Sequence, residues 1–344
     1  MPAGGCSWTG WDGLHSGASV RLGLLSNCQA GLSRASPTAL KQALKDAPEV
    51  VHVATRSSAD VPEALACLAR QGVTLLAVNG GDGTLQHVLT EVLADSIFDP
   101  LPAIAPLPGG RTNMSAADMG STASPAVGLA ALLHALRTNT LERRVVKRPV
   151  LHVDSGPGTS PQYGMFFGAG VIQRALAFKH QLYPERRLQG VFGAGLFLGG
   201  ALLRVASGSP TGIFAPDDIG LAFHHKATET LGDRLETKPF QLVMATTLKR
   251  LFLRLCPFWG NERAPLRFTA IAANAARSPI AVWKVLCGLP PPPSALDSGY
   301  CSHNVERLTL QMDCGFTIDG ELFEPQPGRT LHLATDHRLR FIRA

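Results

Sequence analysis

Charge, aromatic side chains and long apolar runs are all scarce in this sequence. Only 17% of its 344 residues are charged and 6% are aromatic, against 45% hydrophobic and a mean hydropathy of +0.10. The chain is therefore more apolar than an average soluble enzyme, which suits a peripheral membrane protein or a large apolar pocket and decides neither. Its most apolar stretch, residues 191–206, is interrupted by glycines and carries Arg204. It falls short of the roughly 20 residues a spanning helix needs, so a transmembrane helix is not expected. The seven cysteines are scattered and odd in number, and none forms a CxxC pair. Neither a zinc site nor a disulfide framework is indicated, and a reducing, cytoplasmic compartment fits best. Residues 1–18 lack the basic start and apolar run of a secretion signal and read as a disordered extension. The eleven histidines show no metal-ligand spacing. His224 and His225 are adjacent, so on a strand they face opposite ways and do not share a metal.

What charge there is leans positive, with a formal net charge of +6 and a pI near 9.1. A basic surface suits anionic lipid headgroups or nucleotides. The basic residues come in short groups, such as Arg143, Arg144, Lys147 and Arg148, or Lys249 and Arg250. No basic stripe is interleaved with aromatics, so nucleic acid is not an expected partner.

Residues 19–141 alternate strand and helix patterns. Strands are expected at 20–25, 50–54, 73–78 and 102–106, and helices at 36–45, 61–70, 85–93, 112–119 and 124–136. Such alternation implies an α/β domain built on a parallel sheet. Beyond residue 141 the texture changes. Strands are expected at 145–154, 163–167, 213–223, 240–246, 266–272, 305–312 and 316–323, with a helix at 172–183. Residues 142–344 thus read as a mostly antiparallel, β-sandwich-like domain, with a cleft between the two halves.

The strongest chemical signal is Leu75-Leu76-Ala77-Val78-Asn79 followed by Gly80-Gly81-Asp82-Gly83-Thr84. Glycines let backbone amides approach phosphate oxygens, and a new helix adds free N–H groups and the positive end of its dipole. A carboxylate beside a polyphosphate is costly unless it organises a cation or accepts a proton, which makes Asp82 a candidate for either role. The bland alternative is a strand-to-helix turn capped by Asp82 and Thr84. Near the C-terminus, Asp319-Gly320 between apolar runs is a strong hairpin signal in its own right.

The Gly80–Thr84 motif resembles that of the diacylglycerol kinase catalytic domain superfamily, which includes sphingosine kinases and bacterial lipid kinases. The same motif occurs in NAD kinases, with a close variant in phosphofructokinases. Three further segments are similar to the lipid-kinase branch. Asn27-Cys28-Gln29-Ala30-Gly31 resembles a first-strand Asn-Pro-x-x-Gly turn, with Cys28 in place of proline. Pro108-Gly109-Gly110-Arg111-Thr112-Asn113 resembles the second nucleotide loop, with Arg111 where a small hydroxyl residue is usual. Ile318-Asp319-Gly320-Glu321 resembles the family's Asp-Gly-Glu.

The resemblance implies a phosphofructokinase/NAD kinase-like nucleotide domain, ATP and Mg²⁺ as cofactors, and a lipid alcohol such as a diacylglycerol or sphingoid base as acceptor. It implies work at a peripheral membrane surface, on the inner face, and leaves a homodimer open. By this similarity Asn27, Thr55, Gly80, Gly81, Asp82, Gly83, Thr84, Gly110, Thr112 and Asn113 contact the nucleotide. Asp319, with Glu321 beside it, or else Asp82, accepts the hydroxyl proton; the residues themselves leave that choice open. Phe166-Phe167-Gly168-Ala169-Gly170-Val171 is similar to the family's lipid-groove segment. The paired-acid Asp-Asp-Gly-Leu site of some members has only Asp217-Asp218-Ile219-Gly220 as a near match, which reads as a surface turn after Pro216. Two alternatives remain: an NAD kinase-type phosphotransferase, and a catalytically degenerate lipid- or nucleotide-binding protein.

Overall fold

A computed structural model describes residues 20–30, 37–94, 97–121, 123–182, 212–225, 235–275, 279–293 and 299–344. The expected extension at 1–18 and the glycine-rich apolar stretch at 191–206 lie outside the described residues. Four strands begin the fold: β1 (Leu22–Asn27), β2 (Val51–Thr55), β3 (Leu75–Gly80) and β4 (Ala103–Pro108). They pair in parallel in the order β2-β1-β3-β4. Helices α1 (Pro37–Lys45), α2 (Val61–Arg70), α3 (Asp82–Ala94), α4 (Met114–Asp118) and α5 (Pro125–Arg137) connect them or follow them.

Every residue of β3 is buried, as its unbroken apolar run requires of a strand covered on both faces. Side chains alternate across it. Leu75 and Ala77 join a core with Leu40 of α1 and Leu129 and Leu132 of α5. Leu76 and Val78 point the other way, into a core with Leu65 and Leu68 of α2 and Val88 and Leu89 of α3. Leu75 and Leu76 are fully buried, and burying each contributes about 1.5–3 kcal/mol.

The second half supplies β5 (Val145–Asp154), β6 (Gln162–Gly164), β7 (Phe166–Gly170), α6 (Val171–Leu182), β8 (Asp217–His224), β9 (Glu236–Thr246) and β10 (Leu266–Ala272). It continues with α7 (Pro279–Leu286), β11 (Tyr300–Val305), β12 (Arg307–Met312), β13 (Phe316–Ile318), β14 (Glu321–Phe323) and β15 (Thr330–Ile342). Within this half the strands pair antiparallel. Leu151, Phe167, Val243, Phe268, Leu308 and Leu333, from six strands, meet in one core, so the sheet curls around its own inner face.

Elements without an expectation in the sequence are β15, β11 and α7. The first joins the two halves. β15 lies antiparallel to β12 and β5 and, at Phe341, runs parallel beside Ile104 of β4. Leu339 and Phe341 enter the core of the α2/α3 side, and Ile342 enters that of the α1/α5 side. All strands among the described residues therefore belong to one continuous sheet. The expected strand at 316–323 is two strands, β13 and β14, divided by a two-residue turn. Asp217 and Asp218 are not a surface turn: they open β8, and Arg174 of α6 grips the Asp217 carboxylate at 2.6 Å while also donating to the Ile213 carbonyl. No helix among the described residues is long and apolar enough to cross a membrane.

Candidate active site

The turn after β3 lies at the C-terminal edge of the parallel strands, where open α/β sheets bind ligands. Gly80 closes β3, and a Cβ there would lie 2.5 Å from that of Thr84. The Leu85 N–H donates to the Gly81 carbonyl at 3.1 Å, the first turn of α3. The N–H groups of Asp82, Gly83 and Thr84 thus precede the helix's first intrahelical bond, which is the arrangement that receives an anion. Asn27, at the end of β1, donates from its side chain to the Thr84 hydroxyl at 2.8 Å, while its own oxygen accepts the Gln29 N–H. Thr55 stands one strand away and is buried; its carbonyl accepts the Cys28 N–H at 2.9 Å, so it braces the end of β1.

A second glycine loop leans on the first. The N–H groups of Gly109 and Gly110 both donate to the Gly80 carbonyl, at 3.1 and 3.0 Å. Gly110 also donates to the Asn113 side-chain oxygen at 2.8 Å, and the Asn113 amide returns a bond to the Gly110 carbonyl. The Gly110 amide is thus used inside the protein, and what this residue contributes is the absence of a side chain. A Cβ on it would lie 2.3 Å from the Cα of Gly81 and 3.0 Å from that residue's nitrogen. Asn113 takes a left-handed conformation (φ 48°), which asparagine tolerates better than most residues, and precedes α4 without capping it from its side chain. Thr112 is exposed and Arg111 is half-buried beside it.

Asp82 binds across to this loop. One carboxylate oxygen accepts the Met114 N–H at 2.9 Å and the other accepts the Ser115 N–H at 2.8 Å. The carboxylate therefore occupies the N-terminus of α4, where its charge also meets the helix dipole. Burial pushes its pKa up, and the Ser115 and Met114 amides oppose that shift.

The glycine contacts make one prediction. Gly110→Ala places a methyl against rigid backbone and is expected to cost about 3 kcal/mol. Gly83→Ala meets only the tip of the half-exposed Glu321 side chain and gains helix propensity, so its effect stays within about 1 kcal/mol. Urea denaturation of the two variants measures the difference; equal losses would contradict the loop-on-loop packing.

The β13–β14 hairpin delivers the remaining acids. Its turn residues Asp319 (φ 50°) and Gly320 (φ 95°) both have positive φ, as a two-residue type I′ hairpin demands. The Asp319 N–H donates to the Phe166 carbonyl at 2.9 Å, and one carboxylate oxygen accepts the Met165 N–H at 2.8 Å. Its other oxygen, Oδ1, is buried and has no hydrogen-bond partner. Burial is the main reason its pKa stands well above the usual carboxylate range, and the negative charge of Asp82 adds to the shift. Glu321 packs over Gly83 and lies 3.8 Å from His87 of α3.

Asn27, Gly110, Asn113 and Glu321 thus contact the Gly80–Thr84 turn or its neighbour loop, Asp319 lies within electrostatic reach of Asp82, and a small crevice lined by Gly80, Gly81, Asp82, Leu85, Leu107 and Asn113 opens at the turn. Thr55 braces the end of β1, and Thr112, next to Asn113, is exposed. Sequence reading did not anticipate Met165, whose amide holds Asp319, or Gly164, where a Cβ would lie 2.6 Å from an Asp319 oxygen. Both precede the Phe166-Phe167-Gly168 segment, and no local pattern marks them.

Residues 21–146 match the family model of the diacylglycerol kinase catalytic domain. The matched segment contains both glycine loops of the site and supports a kinase-type enzyme. A solved diacylglycerol kinase from Bacillus anthracis str. Sterne shares the fold with a TM-score of 0.57 at 16% identity, over 94% of this chain and 96% of that one. A provisionally assigned diacylglycerol kinase of the same strain gives a TM-score of 0.63 at 16% identity, over 94% and 95% of the two chains. Another so assigned gives 0.61 at 17% identity, over 94% and 97%. At these identities the likeness is one of fold, and it extends past the catalytic domain into the antiparallel half. No curated protein matches the chain by sequence.

Proposed function

We propose that the chain is an ATP-dependent lipid kinase that transfers the γ-phosphate to the hydroxyl of a lipid alcohol such as a diacylglycerol or a sphingoid base. The observation that carries this reading is the buried, unpartnered Oδ1 of Asp319 beside a helix N-terminus shaped for phosphate. The amides of Asp82, Gly83 and Thr84 would hold phosphate oxygens, with Asn27 fixing Thr84. Asp82 is committed through both oxygens to α4, so it positions the second loop, and Asp319 is the proton acceptor. A raised pKa makes Asp319 a stronger base than an ordinary carboxylate, closer to the working pH of the reaction. Hard oxygen donors are what Mg²⁺ takes, and the half-exposed Glu321 carboxylate next to the turn fits that chemistry. Bound there with the phosphates, the ion would supply charge neutralisation. Catalysis would otherwise rest on positioning and on fixed dipoles. The lipid acceptor places the enzyme at a peripheral membrane surface, with the basic net charge of +6 favouring anionic headgroups.

The test is transfer of labelled phosphate from ATP to a panel of diacylglycerol, monoacylglycerol, sphingoid base, ceramide, undecaprenol and NAD. Labelling of one of the lipids and not of NAD is expected. Labelling of NAD alone would establish a dinucleotide kinase, and nucleotide binding without transfer to any acceptor would establish a degenerate site.

A further inference from the structure

Three side chains far apart in sequence converge on the antiparallel half, away from the glycine loops. His225 follows the end of β8, Glu262 lies in the connection before β10, and His303 sits on β11. Each offers one donor atom, and these atoms all lie within 4.8 Å of one another. β8 and β11 are not neighbours in the sheet: β9 and β10 separate them, so the cluster spans the curl.

The groups are held in place. One Glu262 oxygen meets His303 Nδ1 at 2.5 Å, and the other accepts the Asn304 N–H at 3.0 Å. The Asn304 side chain donates to the carbonyls of Glu262 (2.9 Å) and Gly260 (3.1 Å), which fixes the loop that carries the acid. The His303 ring stacks on Phe223 at 4.9 Å, and His225 stands edge-on to both Phe223 and His303. Burial pushes Glu262 up, but the Asn304 amide and His303 more than offset it and hold its pKa at about 2. Its carboxylate is therefore ionised at neutral pH.

One atom lacks an explanation in the protein alone. His225 Nδ1 is buried without a hydrogen-bond partner, on a ring that places a donor nitrogen within 4.8 Å of donor atoms of Glu262 and His303. Leaving such a nitrogen unsatisfied is unfavourable, and buried polar atoms without partners are rare. A cation shared by the three side chains satisfies it.

We propose that His225, Glu262 and His303 form a zinc site that clasps the end of β8 and the loop before β10 to β11. Two imidazoles and one carboxylate are a ligand set zinc takes, with water at the fourth tetrahedral position. Bonds of about 2.0–2.1 Å in that geometry place donors roughly 3.3 Å apart. That value lies between the closest donor pair here, 2.5 Å, and the 4.8 Å limit of the cluster, so side-chain adjustment suffices. On binding, zinc takes the lone pair of a neutral imidazole nitrogen, and any proton on that nitrogen passes to the ring's other nitrogen or, from an imidazolium, to solvent. Asn304 orients the carboxylate from behind, as outer-shell partners of metal ligands do.

The experiment uses full-length, untagged protein stripped with EDTA and dialysed. Titration with Zn²⁺ in a calorimeter is expected to show one high-affinity site per chain, and Co²⁺ is expected to give the visible absorption of a four-coordinate ion. His225→Ala should lower Zn²⁺ affinity by at least about 100-fold and abolish the cobalt spectrum. In EDTA its unfolding midpoint should match that of the wild type, and Zn²⁺ should raise the midpoint of the wild type alone. Should His225→Ala not fold, Glu262→Gln serves as the second variant with the same readouts. Wild-type protein that takes up no zinc, or variants that bind it as tightly as the wild type, would overturn the proposal.

Discussion

Asp319→Asn is expected to lower turnover by about 10²–10⁴-fold while nucleotide binding persists, the range associated with loss of a positioned general base. Asparagine keeps an oxygen for the Met165 N–H and tolerates the positive φ of 50° at this corner, so the hairpin survives. Stability should respond to pH in a defined direction. An unfolded aspartate titrates near 3.9, whereas burial and Asp82 raise Asp319 in the folded chain. The stability associated with this group is fully present below about pH 4 and is lost as pH rises through the folded pKa. The Asn variant lacks that loss, so its stability relative to the wild type should grow as pH rises above about 4. Denaturant melts across pH check this, alongside single-turnover kinetics. Asp82→Asn provides the contrast: it sets an amide NH2 donor against the Met114 or Ser115 N–H donor and should cost about 1–3 kcal/mol of stability as well as activity. If Asp319→Asn retained wild-type turnover and Asp82→Asn alone abolished it at unchanged stability, the assigned roles would have to be exchanged.

Arg148→Met is expected to destabilise the protein by about 3–5 kcal/mol, the usual effect of breaking a buried ion pair from one side. Arg148 on β5 meets Asp118, the last residue of α4, at 2.5 Å, with side-chain exposures of 9% and 4%. The other Asp118 oxygen accepts the N–H groups of Lys249 and Arg250, at 3.1 and 3.0 Å. One carboxylate thus ties α4, which carries the second glycine loop, to two separate segments of the antiparallel half. Methionine fills the volume of the arginine stem but leaves Asp118 as a buried, uncompensated charge. Adding Asp118→Leu should recover part of the loss and no more, because the two backbone N–H groups then lose their acceptor. Chemical denaturation of both variants measures this. A loss under about 1 kcal/mol for Arg148→Met would mean that water reaches the pair and screens it.

Two readings that competed at the sequence level turn out to be compatible. Asp319-Gly320 is a type I′ hairpin turn, as dipeptide chemistry alone demands, and the same turn buries the carboxylate within electrostatic reach of Asp82. Asp82 likewise acts as a helix cap, but for α4, more than 30 residues downstream, and no local cap rule identifies that partner.

By itself the sequence determined whatever depends on near neighbours: the unbroken apolar run of β3, the glycine turn at its end, the alternation of strand and helix through residue 137, and the Asp-Gly corner. These follow from periodicity and backbone stereochemistry over a few residues. Tertiary structure alone decided the place of β15, whose Asp336, His337, Arg338 and Arg340 obscure an apolar pattern that becomes legible only once its Leu339 and Phe341 meet two cores. It also decided the Asp118–Arg148 tie and the meeting of His225, Glu262 and His303. Contacts of that kind depend on which strands distant in the chain pair with one another, and a strand's own short-range pattern does not name that partner.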